Sequence, residues 1–238
     1  MKLNKTKTKP AFLKNDADPV LPFFLIALII GGYIRLSPVL SSDFPLNDGG
    51  MFYVMIKDLI ANHFHLPVFT SYNNLNIPFA YPPLGFYFAG LINNFFKIEI
   101  LDVLRIAPAV FSTLSIFAFY LLVRELLTEK LHQIFSLLIF AFMPASFDWL
   151  IMGGGISRAM AFFFSLLDLY FILKLYKQDR KINLLWVTLF SSLVILSHPE
   201  SALHTAAGAF AIFLFFGRNK SGVFKSIIVV AGILLFTS

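Results

Sequence analysis

Cysteine is absent from the sequence, so a disulfide framework, a thiol nucleophile and a zinc–thiolate site are all excluded. Charge is scarce as well: 13% of residues are Asp, Glu, Lys or Arg, against about a quarter in a soluble domain. No stretch repeats, and no segment beyond the Lys/Thr-rich start has low complexity. Asp168 is the only acidic residue deep inside an apolar run. Transporters usually carry mid-membrane charges and internal repeats, so both scarcities speak against that class. A small-x-small cleavage site is also missing after the first apolar run, which continues through Arg35, Leu36 and Pro38. That run therefore reads as an uncleaved signal anchor and first span.

What is present is apolar. Hydrophobic residues make up 58% of the chain and its mean hydropathy is +0.79. A soluble core of this size could not hide that much apolar surface, so lipid is the expected solvent. The net charge of +6 is not a nucleic-acid signal, because the basic residues fall in short clusters between apolar runs. The expected fold class is all-α: a polytopic transmembrane helix bundle of about seven spans. Residues 1–19, with Lys2, Lys5, Lys7, Lys9 and Lys14, form a basic cytoplasmic tail, and 20–238 form one membrane domain.

The spans are expected at 20–40, 103–123, 132–147, 156–175, 184–197 and 201–216, with a last run at 224–236. Residues 82–96 are apolar but short. Lys174, Lys177, Arg180 and Lys181 form the strongest internal basic loop, and Arg218, Lys220 and Lys225 the next. Two spans separate these loops, so both can be cytoplasmic. Counting backwards places 148–157 outside, 124–132 inside, and everything from 41 to 102 outside. Residues 82–96 then read as interfacial or re-entrant, since a crossing there would turn both basic loops to the wrong side. Within the outer loop, 51–62 is amphipathic: Phe52, Met55, Ile56, Leu59 and Ile60 share a face opposite Lys57, Asp58 and Asn62. An irregular stretch rich in Asn and Pro follows at 64–80.

The same count gathers the chemistry-bearing residues on one side of the membrane. They are Asp43 and Asp48 after the first span, Pro82 and Pro83, Gly153–Gly154–Gly155 with Arg158, and His198, Pro199, Glu200 and His204.

Asn47–Asp48–Gly49–Gly50–Met51–Phe52–Tyr53, an amphipathic helix, Leu66–Pro67 and Ala80–Tyr81–Pro82–Pro83–Leu84–Gly85–Phe86–Tyr87 follow a first span ending near Arg35. In that order they resemble the N-terminal module of the GT-C membrane glycosyltransferases, in the protein mannosyltransferase-like and aminoarabinose-transferase-like (family 39-like) branch. The likeness is good over 30–125 and loose beyond. It implies a donor sugar on a polyprenyl phosphate or diphosphate. It also implies an acceptor nucleophile attacking the anomeric carbon, an outward carboxylate as general base, and cationic groups stabilising the departing phosphate. The resemblance further implies a multi-pass protein of the inner membrane with a cytoplasmic N-terminus. The last apolar run ends short and family enzymes continue with more spans, so the chain reads as truncated at its C-terminus.

Asp48 matches the family's acidic position, and its other reading is an N-cap for the surface helix. Many family members carry Asp-Glu where this chain has Asp48–Gly49. Asp43 is the candidate for the second acid, or else a solvated loop residue. Arg158 after three glycines suggests a carrier-phosphate site, with backbone donors at a helix N-terminus; the alternative is an arginine snorkelling to head groups. Arg35 is a further substrate-binding candidate or an anchor for the end of the first span. His198 and Glu200 are candidates for donor or acceptor contact, or for capping and head-group contact. Tyr81 is a sugar platform or, with Tyr72 and Tyr87, part of an aromatic belt. Glu200 and His204 share a helix face and invite a divalent metal, but the ligand spacing is unmatched, so no metal is assigned. Two rivals remain open: a transporter of a lipid-linked substrate, and an inactive or scaffold fragment of a GT-C protein. Sugar and acceptor are not legible.

Overall fold

The structure is a computed structural model that describes residues 18–178 and 180–237. The basic tail expected from Lys2 to Lys14 lies outside the described residues. The first apolar run forms α1, Val20–Leu40, and the outer loop carries α2, Gly50–Ala61, and α3, Leu84–Phe96. Then come α4 (Ile100–Leu126), α5 (Lys130–Phe142), α6 (Gly155–Lys177), α7 (Ile182–Ile195), α8 (Pro199–Ile212) and α9 (Lys220–Thr237). A π-turn, Phe213–Gly217, lengthens α8. The fold is the all-α bundle expected.

Among the described residues five helices are long and apolar enough to cross a membrane: α1, α4, α6, α9, and α8 with its π-turn. The helices α5 and α7 have 13 and 14 residues. At 1.5 Å per residue each reaches about 20 Å, short of a hydrocarbon core of about 30 Å. The run expected to span at 132–147 stops at Phe142, because Met143 is extended ahead of Pro144 and the chain turns into a 3₁₀ segment, Pro144–Ser146. Seven expected spans thus become five of full length with two short helices between them.

Contacts at the helix ends show an alternating path. At one end Arg124 and Lys130 pair with Asp18, at 2.8 and 3.6 Å. Lys177 lies 3.8 Å from Glu125 at the same end. At the other end the starts of α4 and α6 meet the loop after α1. The turn between α7 and α8 is there too, where the Leu84 N–H donates to Leu196 O at 2.9 Å. Close approach of α1 to α4 and α5 depends on Gly31, where a Cβ would lie 2.8 Å from Ile116 Cδ1.

The helices α2 and α3 form a cap over that second end. The apolar face expected on α2 is the face that packs. Phe52, Met55, Ile56 and Leu59 join Phe86 and Ala89 of α3, Ile100, Val103 and Leu104 of α4, and Ile156 and Met160 of α6 in one cluster. Ile56 and Leu59 are fully buried, each worth about 1.5–3 kcal/mol. The stretch at 64–80 is more ordered than its composition suggested. Phe69–Thr70 pairs antiparallel with Ile77–Pro78, and Asp58 holds this ribbon through Ser71 N (2.8 Å), Ser71 Oγ (2.7 Å) and Thr70 Oγ1 (2.8 Å). Asp58 was read only as part of a polar helix face; it is a tether.

Candidate functional site

The connection after α1 bends back on itself, with the Asp48 N–H donating to Leu46 O at 2.8 Å and Asn47 at a positive φ of 63°. This turn presents the Asp48 carboxylate to the start of α6. The Gly154 N–H donates to Asp48 Oδ1 at 2.7 Å. Asp48 does not cap α2: the N-cap position there is Gly49, with φ 128° and no side-chain cap. The capping reading is thereby corrected. The carboxylate sits instead at the N-terminus of α6, where the helix dipole favours a negative charge.

Gly153 and Gly154 permit this docking, and Gly155 the tight turn behind it. A Cβ on Gly153 would lie 2.1 Å from Asp48 O, and one on Gly154 would lie 2.7 Å from Asp48 Oδ2. A Cβ on Gly155 would lie 2.3 Å from Leu150 O. Their amides are already used: Gly153 N donates to Leu46 O, Gly154 N to Asp48 and Gly155 N to Met152 O. The expected cradle of free backbone donors for a phosphate is therefore filled by the protein's own carboxylate. Arg158 is what remains for an anion. It is half-buried on the first turns of α6, with Nη1 donating to Trp149 O at 3.2 Å and its guanidinium 5.7 Å from the Trp149 ring centre. It forms no ion pair among the described residues.

Tyr81 and His198 lie within the fields of both Arg158 and Glu200. The Tyr81 ring packs 5.1 Å from Phe52 and 6.1 Å from His198. Burial pushes the Tyr81 hydroxyl pKa up; the Arg158 charge opposes this, while Glu200 and Asp48 add to it. His198 is buried and caps α8, its Nδ1 accepting from the Ser201 N–H at 3.3 Å. Burial first, and then Arg158, hold its pKa below the usual imidazole value. Glu200 is exposed in the first turn of α8. Asp48, Tyr81, Arg158, His198 and Glu200 thus meet at one end of the bundle from four separate stretches of chain.

Two of the expected site residues stand apart from the group. Asp43 is exposed in the connection after α1. Arg35 is a correction: it is wholly buried and faces inward. Its guanidinium donates to Ser112 Oγ (3.1 Å), Gly31 O (3.0 Å), Ala141 O (2.7 Å), Phe140 O (3.4 Å) and Ser146 Oγ (3.0 Å), and lies 4.5 Å from the Phe147 ring centre. It ties α1 to α4 and to the end of α5, and leaves nothing to offer a ligand.

The sequence reading passed over three contributors. Arg105 pairs with Asp102 at 2.7 Å and donates to Ser42 O, fixing the start of the loop that bears Asp48. Gly85 brings α3 against α6, where a Cβ would lie 2.7 Å from Ser157 Oγ. Ser157 is buried there, its hydroxyl without a partner among the described residues. The Asp102–Arg105 spacing of three was a legible sign of the first; the other two had no local signal. No group of three or more His, Asp or Glu among the described residues is arranged to hold a metal.

The family model described as dolichyl-phosphate-mannose-protein mannosyltransferase matches residues 80–238. Among solved structures the chain is similar to the Archaeoglobus fulgidus oligosaccharyltransferase, crystallised in complex with Zn and sulfate, with a TM-score of 0.57 and 16% identity. The match covers 90% of this chain and 34% of that one, so the chain spans about a third of that protein's length. At that identity the likeness is one of fold. No curated protein matches the sequence.

Proposed function

The chain belongs to the dolichyl-phosphate-mannose-protein mannosyltransferase family, a GT-C family of integral membrane glycosyltransferases, and on that premise we propose that it serves glycosyl transfer at the Asp48 end of the bundle. The donor is a sugar on a polyprenyl phosphate, and the end bearing Asp48 faces out from the inner membrane while the N-terminus lies in the cytoplasm. One observation carries the reading: the exposed Asp48 carboxylate is fixed through one oxygen by Gly154, in the same cluster as Arg158. Asp48 Oδ2 accepts no hydrogen bond among the described residues, the one bond to this carboxylate being on Oδ1.

The arrangement suits a single displacement. The acceptor oxygen forms a bond to the anomeric carbon as the bond from that carbon to the phosphate oxygen breaks. The electron pair leaves with the phosphate, and Arg158 stabilises the charge that develops there. The acceptor's proton passes to Asp48 Oδ2. General base help of this kind contributes about 10²–10⁴ in rate. Tyr81 offers an aromatic face beside the carboxylate, and Glu200 an exposed acceptor for sugar or acceptor hydroxyls. Asp43 lies near enough in sequence to serve as a second acid, though no contact supports that role.

The test is transfer of labelled sugar from a polyprenyl-phosphate donor, in membranes containing the chain or its Asp48→Asn variant. Loss of product with unchanged insertion supports the proposal. Undiminished product from Asp48→Asn removes the catalytic assignment. A chain that moves the labelled carrier lipid across the bilayer without a new glycosidic bond is a transporter instead.

A further inference from the structure

A groove of about 440 Å³ runs lengthwise between α8 and α9, with α6 and α7 as its floor. Ala202, Ala206 and Ala209 line its α8 side, and Val223, Ile227 and Val230 its α9 side. At one end Tyr176 joins the walls, its ring 5.9 Å from that of Phe213 and its hydroxyl sharing a hydrogen bond with Ser226 at 2.8 Å. At the other, Val194, Ile195 and Ala202 carry the groove to the turn between α7 and α8, on the Asp48 side. From Ala202 to Phe213 it is about 16 Å long at 1.5 Å per residue. Ala206, Phe210, Ile227 and Val230 are exposed, so its flank opens sideways to the bilayer, and whatever enters comes through lipid.

One carboxylate lies in this apolar lining. Asp168 is 1% exposed and stands on α6 about 20 Å from the start of the helix and about 14 Å from its end. Its Oδ2 accepts from Ser191 Oγ at 2.7 Å, and its Oδ1 has no hydrogen-bond partner among the described residues. No Lys, Arg or His lines the groove. The neighbouring hydroxyls are satisfied within the protein: Thr205 donates to Ser201 O at 2.6 Å and Ser226 to Gly222 O at 2.9 Å. A carboxylate at mid-membrane is costly without a cation and marks a binding site by default. A turn about χ2 exchanges its two oxygens, so either can meet the groove.

We propose that this groove binds a membrane-soluble primary amine, with its ammonium paired to Asp168 and its hydrocarbon body lying between α8 and α9. An ammonium supplies the missing charge and three donors together. A hydroxyl would supply a donor without the charge, and a quaternary ammonium the charge without a donor. Size favours a small molecule over a partner helix. Ten residues of helix, about 15 Å long and 10 Å across, would fill about 1,200 Å³, well beyond the 440 Å³ here, whereas small-molecule sites take about 300–1,000 Å³. The proposal does not rest on the transfer reaction.

The test measures saturable binding of radiolabelled n-decylamine to the full chain in a neutral detergent, above the linear uptake into micelles. Asp168→Asn keeps an acceptor for Ser191 and should weaken binding about 100-fold, as the loss of one member of a buried ion pair does. Ala209→Phe, which narrows the groove, should weaken it too while leaving helicity unchanged. Displacement by n-decanol or by decyltrimethylammonium should need about ten times the concentration or more, since each lacks one half of the interaction. Full affinity in Asp168→Asn would overturn the proposal; should that variant fail to fold, unchanged binding in Ala209→Phe would do so. Decanol displacing as well as decylamine would reassign the groove to neutral apolar molecules. Stronger displacement by a polyprenyl phosphate, or by a membrane-spanning peptide with a central lysine, would reassign it to a carrier lipid or a partner helix. Each of these results overturns it.

Discussion

Gly154 donates its backbone N–H to Asp48 Oδ1 at 2.7 Å, joining residues 106 positions apart and setting the carboxylate on the N-terminus of α6. Asn at position 48 could still accept that bond through its amide oxygen, so Asp48→Asn separates positioning from proton transfer. Transfer from a polyprenyl-phosphate sugar should fall about 10²–10⁴-fold, while stability falls only by the lost charge at the α6 N-terminus, about 0.3–1 kcal/mol. Sugar transfer and thermal unfolding measured on the same preparation check this.

Gly154→Ala should injure the site by geometry. The added Cβ would come 2.7 Å from Oδ2 and 2.8 Å from Oδ1 of Asp48, so the carboxylate or the loop must move. Overpacking of this kind costs about 1–3 kcal/mol. Transfer should drop together with stability here, whereas Asp48→Asn lowers transfer far more than stability.

Arg35 should matter for stability. Its five hydrogen bonds go to two carbonyls at the end of α5, to the Gly31 carbonyl and to two hydroxyls. Arg35→Leu leaves those acceptors buried, at about 1–3 kcal/mol for each one left unpaired. Arg35→Lys should recover little, since an ammonium cannot reproduce the planar fork. Thermal unfolding in detergent reads both, and a wild-type melting temperature for Arg35→Leu would refute the staple.

His198 predicts an acid-side loss of stability. Its pKa is held low by burial and by Arg158, and its Nδ1 must stay unprotonated to accept from Ser201 N. An unfolded histidine titrates near 6.5. Below that pH the unfolded chain takes up a proton that the folded chain resists, so this contribution is present above about pH 6.5 and is lost as the pH falls towards the folded value. Arg158→Gln should raise the folded pKa and shrink the effect; imidazole NMR titration measures the change. An unchanged His198 titration in that variant would count against the grouping of the two side chains.

Asp58→Ala should release the ribbon at 69–78. Burial alone would raise the Asp58 pKa, but the bonds from Ser71 and Thr70, with Lys57 nearby, bring it below the usual carboxylate range. Hydrogen exchange at Ser71 should quicken in the variant, while α2 keeps its protection through Phe52, Met55, Ile56 and Leu59.

Much of the architecture was legible because it depends on local composition. The run 20–40 is α1 residue for residue, and of the apolar face expected on 51–62 α2 buries Phe52, Met55, Ile56 and Leu59, with Ile60 partly buried beside them. Charge parity foresaw that Asp48, Tyr81, Arg158 and His198 would share one end. It had no means of foreseeing that Pro144 would cut α5 short, or that 69–70 would pair with 77–78. It also misjudged Arg35, because a lone arginine near a span end looks the same in sequence whether it reaches outward to head groups or inward to carbonyls.

Sequence alone determined the apolar helices and that the polar residues gather at one end of the bundle, since hydropathy and charge act on each segment separately. Only the tertiary structure decided what each polar group does. Asp48 holds Gly154 rather than the helix beside it, the glycine amides are consumed before any phosphate arrives, and Arg35 is sealed between α1, α4 and α5. A hydrogen bond between residues 106 apart depends on how the intervening helices pack, and no single segment carries that information.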